Sequence, residues 1–141
     1  MPALDLDLRL ANSAVVDISA ATSDAEAAVN LGAVGLPDQV TFVVIVEAGT
    51  ADASVEPVTF ELQFTDDNGT TWHVVSTITV GIMNNPAAYS VRVGRNVFAP
   101  EQLAAASIDV RCVAKWQTTA GTDDFTYSAY LAGPQSFPFF N

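Results

Sequence analysis

An all-β sandwich is the fold class the sequence predicts, and three observations predict it. Several stretches alternate apolar and polar residues with a period of two, no stretch of helix length shows a helical period, and 50% of the 141 residues are hydrophobic while only 15% are charged. A period of two sends successive side chains to opposite faces of an extended strand. A chain of this length buries a real core in a single domain without disulfides or metals to staple it.

Leu4 to Leu10 reads Leu-Asp-Leu-Asp-Leu-Arg-Leu, with Leu4, Leu6, Leu8 and Leu10 on one face and Arg9 among the polar positions. This predicts an extended N-terminal arm or edge strand over residues 1–12, ahead of a sandwich over 13–133. "VVDIS" and "AAVNL" read as short strands, with a short helix possible across Asp24 to Ala28. After Gly35 and Pro37, the near-continuous β-branched run "VTFVVIVEA" reads as a central strand buried on both faces. "VTFELQF" puts Val58, Phe60, Leu62 and Phe64 on one face, and "TWHVVSTITV" returns with Trp72, Val74, Ser76, Ile78 and Val80 in alternation. "YSVRV" is a shorter strand ending at Gly94, and "APEQLAAAS" has room for one helical turn. The last two strands point Ile108, Val110, Cys112, Ala114 and Trp116 inward, then Phe125, Tyr127, Ala129 and Leu131. About seven to nine strands with no repeat predict a jelly-roll-like β-sandwich, with immunoglobulin-like topology as the alternative.

Five Lys and Arg against sixteen Asp and Glu give a net charge of −11. Such a surface opposes phosphate backbones and anionic lipid and is complementary to a basic protein surface, so neither nucleic acid nor membrane is expected as a partner. The one cysteine, Cys112, lies in an apolar strand and is expected to be a core thiol. "MPALDLDLRL" has no basic and apolar leader pattern, and no stretch reaches the ~18 apolar residues of a membrane helix. Synthesis in a cytoplasm is the expectation.

The most motif-like stretch is "TDDNGTTW", residues 65–72. It fits the pattern S/T-x-D-x-G-x-T-W and resembles the Asp-box turn of sialidase-type β-propellers. The resemblance implies that Asp67 accepts backbone N–H bonds inside a hairpin turn, Gly69 supplies a positive φ, and Trp72 packs beneath. A propeller needs at least about four blades, which a single copy in this length does not supply, so the turn is read as structural. Asp66, Asp67 and Asn68, with Asp123 and Asp124, offer oxygens to calcium, but the spacing of a calcium loop is missing and no metal is expected.

Enzyme chemistry has few players. His73 is the only histidine, and no phosphate loop, nucleophile elbow or metal-ligand spacing occurs. No catalytic residue, cofactor or small-molecule substrate is expected. Trp72, Trp116, Tyr127 and Tyr130 are candidates for a sugar-stacking platform, with Tyr130 on the opposite face from its neighbours and expected to be exposed; this is the basis of an alternative reading as a carbohydrate-binding or host-adhesion module.

The two ends of the sequence are apolar where ends are usually polar. "PQSFPFFN" places Phe137, Phe139 and Phe140 in an aromatic tail over residues 134–141, with Pro134 and Pro138 against a helix. The tail and the arm (Leu4, Leu6, Leu8, Arg9, Leu10) are the predicted intersubunit or partner contacts. The order "LDLRLANSAVV", "AVNLGAVG", "VTFELQFTDD" and "DVRCVAKW" before a final hairpin resembles the capsid cement, or decoration, proteins of tailed bacteriophages. That resemblance implies a non-enzymatic virion protein, often trimeric and jelly-roll-like. It would be made in the host cytoplasm, bind the outer capsid surface and bridge major capsid protein subunits.

Overall fold

A computed structural model describes residues 9–18, 21–30, 39–47, 57–81, 86–94, 109–117 and 124–132. These residues form nine strands: β1 (Arg9–Asp17), β2 (Ser23–Ala25), β3 (Val29–Asn30), β4 (Gln39–Val46), β5 (Val58–Thr65), β6 (His73–Val80), β7 (Ala87–Gly94), β8 (Asp109–Lys115) and β9 (Asp124–Ala132). Two antiparallel sheets result. Sheet A has the order β1-β9-β4-β7, and sheet B the order β2-β8-β5-β6 with β3 also on β8. The protein is a β-sandwich.

With β2 and β3 taken as one interrupted strand, the pairs β1·β9, β2/β3·β8, β4·β7 and β5·β6 nest inside one another around the β5–β6 turn. Side-by-side pairing of β9 with β4 and of β8 with β5 then closes each sheet. Among the described residues the four sheet edges are β1, β7, β2 and β6.

The core is the set that the period of two selects. Phe42, Val44 and Val46 from β4 and Phe125, Tyr127 and Ala129 from β9 meet Val58, Phe60 and Leu62 from β5 and Cys112 and Ala114 from β8, all 2% exposed or less. At its centre Phe60 lies 4.8 Å from Tyr127 and 6.2 Å edge-on to Phe125, while Trp116 meets Phe125 edge-on at 5.7 Å. Each such ring pair adds roughly 0.5–1.5 kcal/mol beyond the area it buries. The expected inward sets of β5, β8 and β9 and the double-sided burial of β4 are found as predicted, for the described residues.

Three expectations are corrected. Asp24 does not start a helix: Ser23–Ala25 pairs with Val113–Lys115, and amide bonds from Trp116 to the Thr22 carbonyl (2.9 Å) and from Glu26 to the Cys112 carbonyl (3.1 Å) extend that ladder. Pairing with β8 overrides a weak local helix preference. On β6, Leu62 faces Ser76 but Gln63 faces Val74, leaving Val75 as a bulge. One extra residue reverses the facing of everything before it. Val74 is therefore 49% exposed while Ile78 and Val80 stay inside. Leu10, expected to contact a neighbour, is 3% exposed and belongs to this chain's own core. Two register shifts in β1 bring both Leu10 and Ala11 inward. The arm's other leucines, Leu4, Leu6 and Leu8, and the tail residues Phe137, Phe139 and Phe140 lie outside the described residues, as does the helical turn expected at "APEQLAAAS".

Candidate functional site

Thr65, Asp67, Gly69 and Trp72 come together at the β5–β6 turn as the motif implies. The Thr65 hydroxyl donates to Asp67 Oδ1 (2.6 Å) and accepts the amides of Asp67 (3.3 Å) and Gly69 (3.0 Å). Asp67 Oδ1 also accepts the Thr71 amide at 2.9 Å. The Thr65 hydroxyl, and after it the Thr71 amide, hold the Asp67 carboxyl below its ordinary value by favouring the charged form. Asn68 (φ 59°) and Gly69 (φ 84°) take the left-handed conformations that reverse the chain, as Asn and Gly do most readily. A Cβ on Gly69 would stand 3.7 Å from the Trp72 indole, so the turn rests on that ring.

The same indole anchors a polar ladder across the outer face of sheet B. Arg111 Cζ lies 3.9 Å from the Trp72 ring centroid, a cation–π contact. Arg111 Nε donates to Gln63 Oε1 (2.8 Å), Gln63 Nε2 donates to Glu61 Oε1 (2.8 Å), and Lys115 Nζ stands 3.0 Å from the same Glu61 oxygen. Burial lowers the Arg111 pKa from its ordinary value. Outward positions on β5 and β8 were legible as polar; their register, which makes Gln63 face Arg111, was not. His73 is exposed and stacks on Phe64 at 5.1 Å.

The outer face of sheet A differs. Val43, Tyr130 and Ala132 form a second apolar cluster with Ile45 against it. Tyr130, expected to be exposed, is 3% exposed, and burial raises its phenol pKa. Its place opposite Val43, at the end of β9 that is buried on both faces, is what the alternation of β9 alone does not reveal. Beside this cluster Ser13, at φ 47°, donates through its hydroxyl to Glu47 Oε1 (2.8 Å) and through its amide to the Ser128 hydroxyl (2.9 Å), which also donates to Glu47 (3.1 Å). This triangle pins the second irregularity of β1.

Inside the sandwich, burial pushes the Cys112 thiol up to about 12, so the residue is an inert core group and not a nucleophile. Tyr127, whose phenol burial also raises, shares its hydroxyl with the Cys112 thiol, and Trp116 Nε1 lies in the core with no hydrogen-bond partner among the described residues. Burial, followed by the neighbouring Asp24 carboxyl, raises Glu26. Among the described residues no three His, Cys, Asp or Glu side chains gather as metal ligands. No protein-family model matches the chain, and no curated protein or solved structure matches it.

Proposed function

We propose that this protein is a non-enzymatic virion protein that binds the outer surface of a tailed-bacteriophage capsid as a homotrimer and stabilises the shell by bridging major capsid protein subunits. The observation that carries the reading is the nested pairing around the β5–β6 turn. Such nesting supports reading the sandwich as jelly-roll-like, the architecture that the cement-protein resemblance implies. The resembling segments fall on its framework: "LDLRLANSAVV" runs into β1, "VTFELQFTDD" is β5 and the start of its turn, and "DVRCVAKW" is β8. A net charge of −11 favours docking on a basic shell surface. Simultaneous engagement of several capsomers would stabilise assembled shell over dispersed subunits by mass action.

The carbohydrate-binding alternative loses the rings it relied on. Trp116, Tyr127 and Tyr130 are 6%, 0% and 3% exposed, and Trp72 carries Arg111 on its face.

Co-sedimentation with expanded capsids, assembled from a major capsid protein encoded in the same genome, tests the proposal. Saturable pelleting that weakens with added salt, together with a raised capsid melting temperature, is expected. A chain that stays in the supernatant at every salt concentration would overturn it.

A further inference from the structure

An edge strand leaves a row of unpaired N–H and C=O groups, and folded proteins protect such rows with shortness, bulges, charge or proline. Three of the four edges here are protected. β2 is three residues long; β1 has two register shifts and a left-handed Ser13; β7 carries an exposed Arg92 within its run. β6, "HVVSTITV", has no Asp, Glu, Lys, Arg, Gly or Pro. Its bulge at Val75 leaves Ser76–Val80 as a regular five-residue stretch with no partner on its outer side among the described residues. Ser76, Ile78 and Val80 share a face with Leu62, Phe60 and Val58, while Thr77 and Thr79 are exposed on the other face.

A segment of the complementary pattern precedes β1. Leu4-Asp5-Leu6-Asp7-Leu8 alternates apolar and acidic residues over the same length as Ser76–Val80. β6 lies against β7 at one margin of the sandwich, whereas β1 forms the opposite edge of sheet A. The acceptor for the arm of one molecule is therefore best placed on another.

We infer that Ser76–Val80 of β6 accepts residues Leu4–Leu8 of a second copy as an additional antiparallel strand. In that register Leu4, Leu6 and Leu8 stand opposite Val80, Ile78 and Ser76 and extend the core face, and Asp5 and Asp7 stand opposite Thr79 and Thr77. Each molecule donates at one margin and accepts at the other, a head-to-tail contact that closes into a ring when its rotation permits. This rests on the proposed homotrimer and names its contact. Because the test uses no capsid, failure of arm exchange and failure of capsid binding are distinguishable.

The test is light scattering after size exclusion, over a dilution series, on the full chain and on variants. The full chain is expected to run at a multiple of its 14.8 kDa mass and the chain lacking residues 1–8 at the monomer mass. Thr79→Asp, which sets a like charge opposite Asp5, should weaken self-association about two- to fivefold, and adding Asp5→Lys to it should restore the parent value. A monomeric full chain, an undiminished mass after deletion of residues 1–8, or a Thr79→Asp variant that associates like the parent would each overturn the inference. As a check independent of how the variants fold, a labelled peptide of residues 1–10 should bind the deleted chain by fluorescence anisotropy. Absence of binding would count equally against the inference.

Discussion

β4 and β5 share a tripeptide near their starts, Val40-Thr41-Phe42 and Val58-Thr59-Phe60, and each runs through the middle of its sheet. β4 continues Val-Val-Ile-Val and β5 continues Glu-Leu-Gln-Phe. Their inward positions are equivalent, since Phe42, Val44 and Val46 on one and Phe60, Leu62 and Phe64 on the other are all 2% exposed or less. Their outward positions are also withdrawn from water, by different physics. Val43 is fully buried in an apolar cluster with Tyr130, whereas Gln63, 6% exposed, is held by Arg111 at one end and Glu61 at the other. Burial of a polar side chain is tolerated where its hydrogen bonds are made, so one outer face is closed by packing and the other by a bonded lattice.

Exchanging the residues that follow the shared tripeptide should break this comparison most sharply. Val43→Glu puts a carboxylate at a site with no exposure and no cation against it among the described residues, and should cost roughly 3–5 kcal/mol, much of the stability of an ordinary domain. Glu61→Val releases Lys115, which is 48% exposed and remains solvated, and leaves one Gln63 donor unbonded, for about 1 kcal/mol. Urea unfolding midpoints of the two variants measure the difference. Similar costs would mean that the Val43 cluster is open to water.

The two ends of β6 give the next contrast. Gly69, before it, has φ 84° and its missing Cβ would meet Trp72 only at ordinary contact distance, so Gly69→Ala is opposed by backbone strain alone, about 1–2 kcal/mol. Gly81, after it, has open space around the missing Cβ and no positive φ. Gly81→Ala should be neutral or stabilise by about 0.4–1 kcal/mol through the unfolded chain. Thermal unfolding of both variants checks this, and an unchanged Gly69→Ala midpoint would remove the turn from the account of why β5 and β6 pair.

What was legible in the sequence follows from which physics is local. The inward sets of β5, β8 and β9 and the burial of β4 follow from alternation and β-branching, and the Thr65–Trp72 turn follows from Asp, Gly and Trp at fixed offsets. The failures sit where register intervenes. Val75 is one residue too many for its partner strand, and nothing in "HVVSTITV" marks it, so alternation alone sets Val74 on the wrong face. The alternation of β9 sends Tyr130 to water, yet it packs beside Val43 in a cluster that neither strand reveals alone. The ladder from Trp72 to Lys115 needs Gln63 opposite Arg111, a pairing between residues far apart in the chain.

Two carboxyls, one held by hydroxyl and amide donors and one partly buried beside a second carboxyl, carry the contrast into pH dependence, where the effects are smallest. Asp67 is lowered from 3.8 by the Thr65 hydroxyl and the Thr71 amide, so the native state binds its proton less readily than the unfolded chain. Its contribution is present above the unfolded value and is lost as pH falls through the folded one. Glu26 is raised from 4.5 by burial and by Asp24, so the native state binds its proton more readily. That contribution is fully present below 4.5 and is lost as pH rises through the folded value. Asp67→Asn, which keeps an acceptor for Thr71, should therefore lower the melting temperature at neutral pH by an amount that shrinks in acid. Glu26→Gln should raise it at neutral pH by an amount that also shrinks in acid. Curves of melting temperature against pH that shift the same way for both variants would contradict the assignment. Opposite shifts would show that a carboxylate inside a completed turn and a carboxylate crowded beside another at a sheet edge pull the same fold in opposite directions.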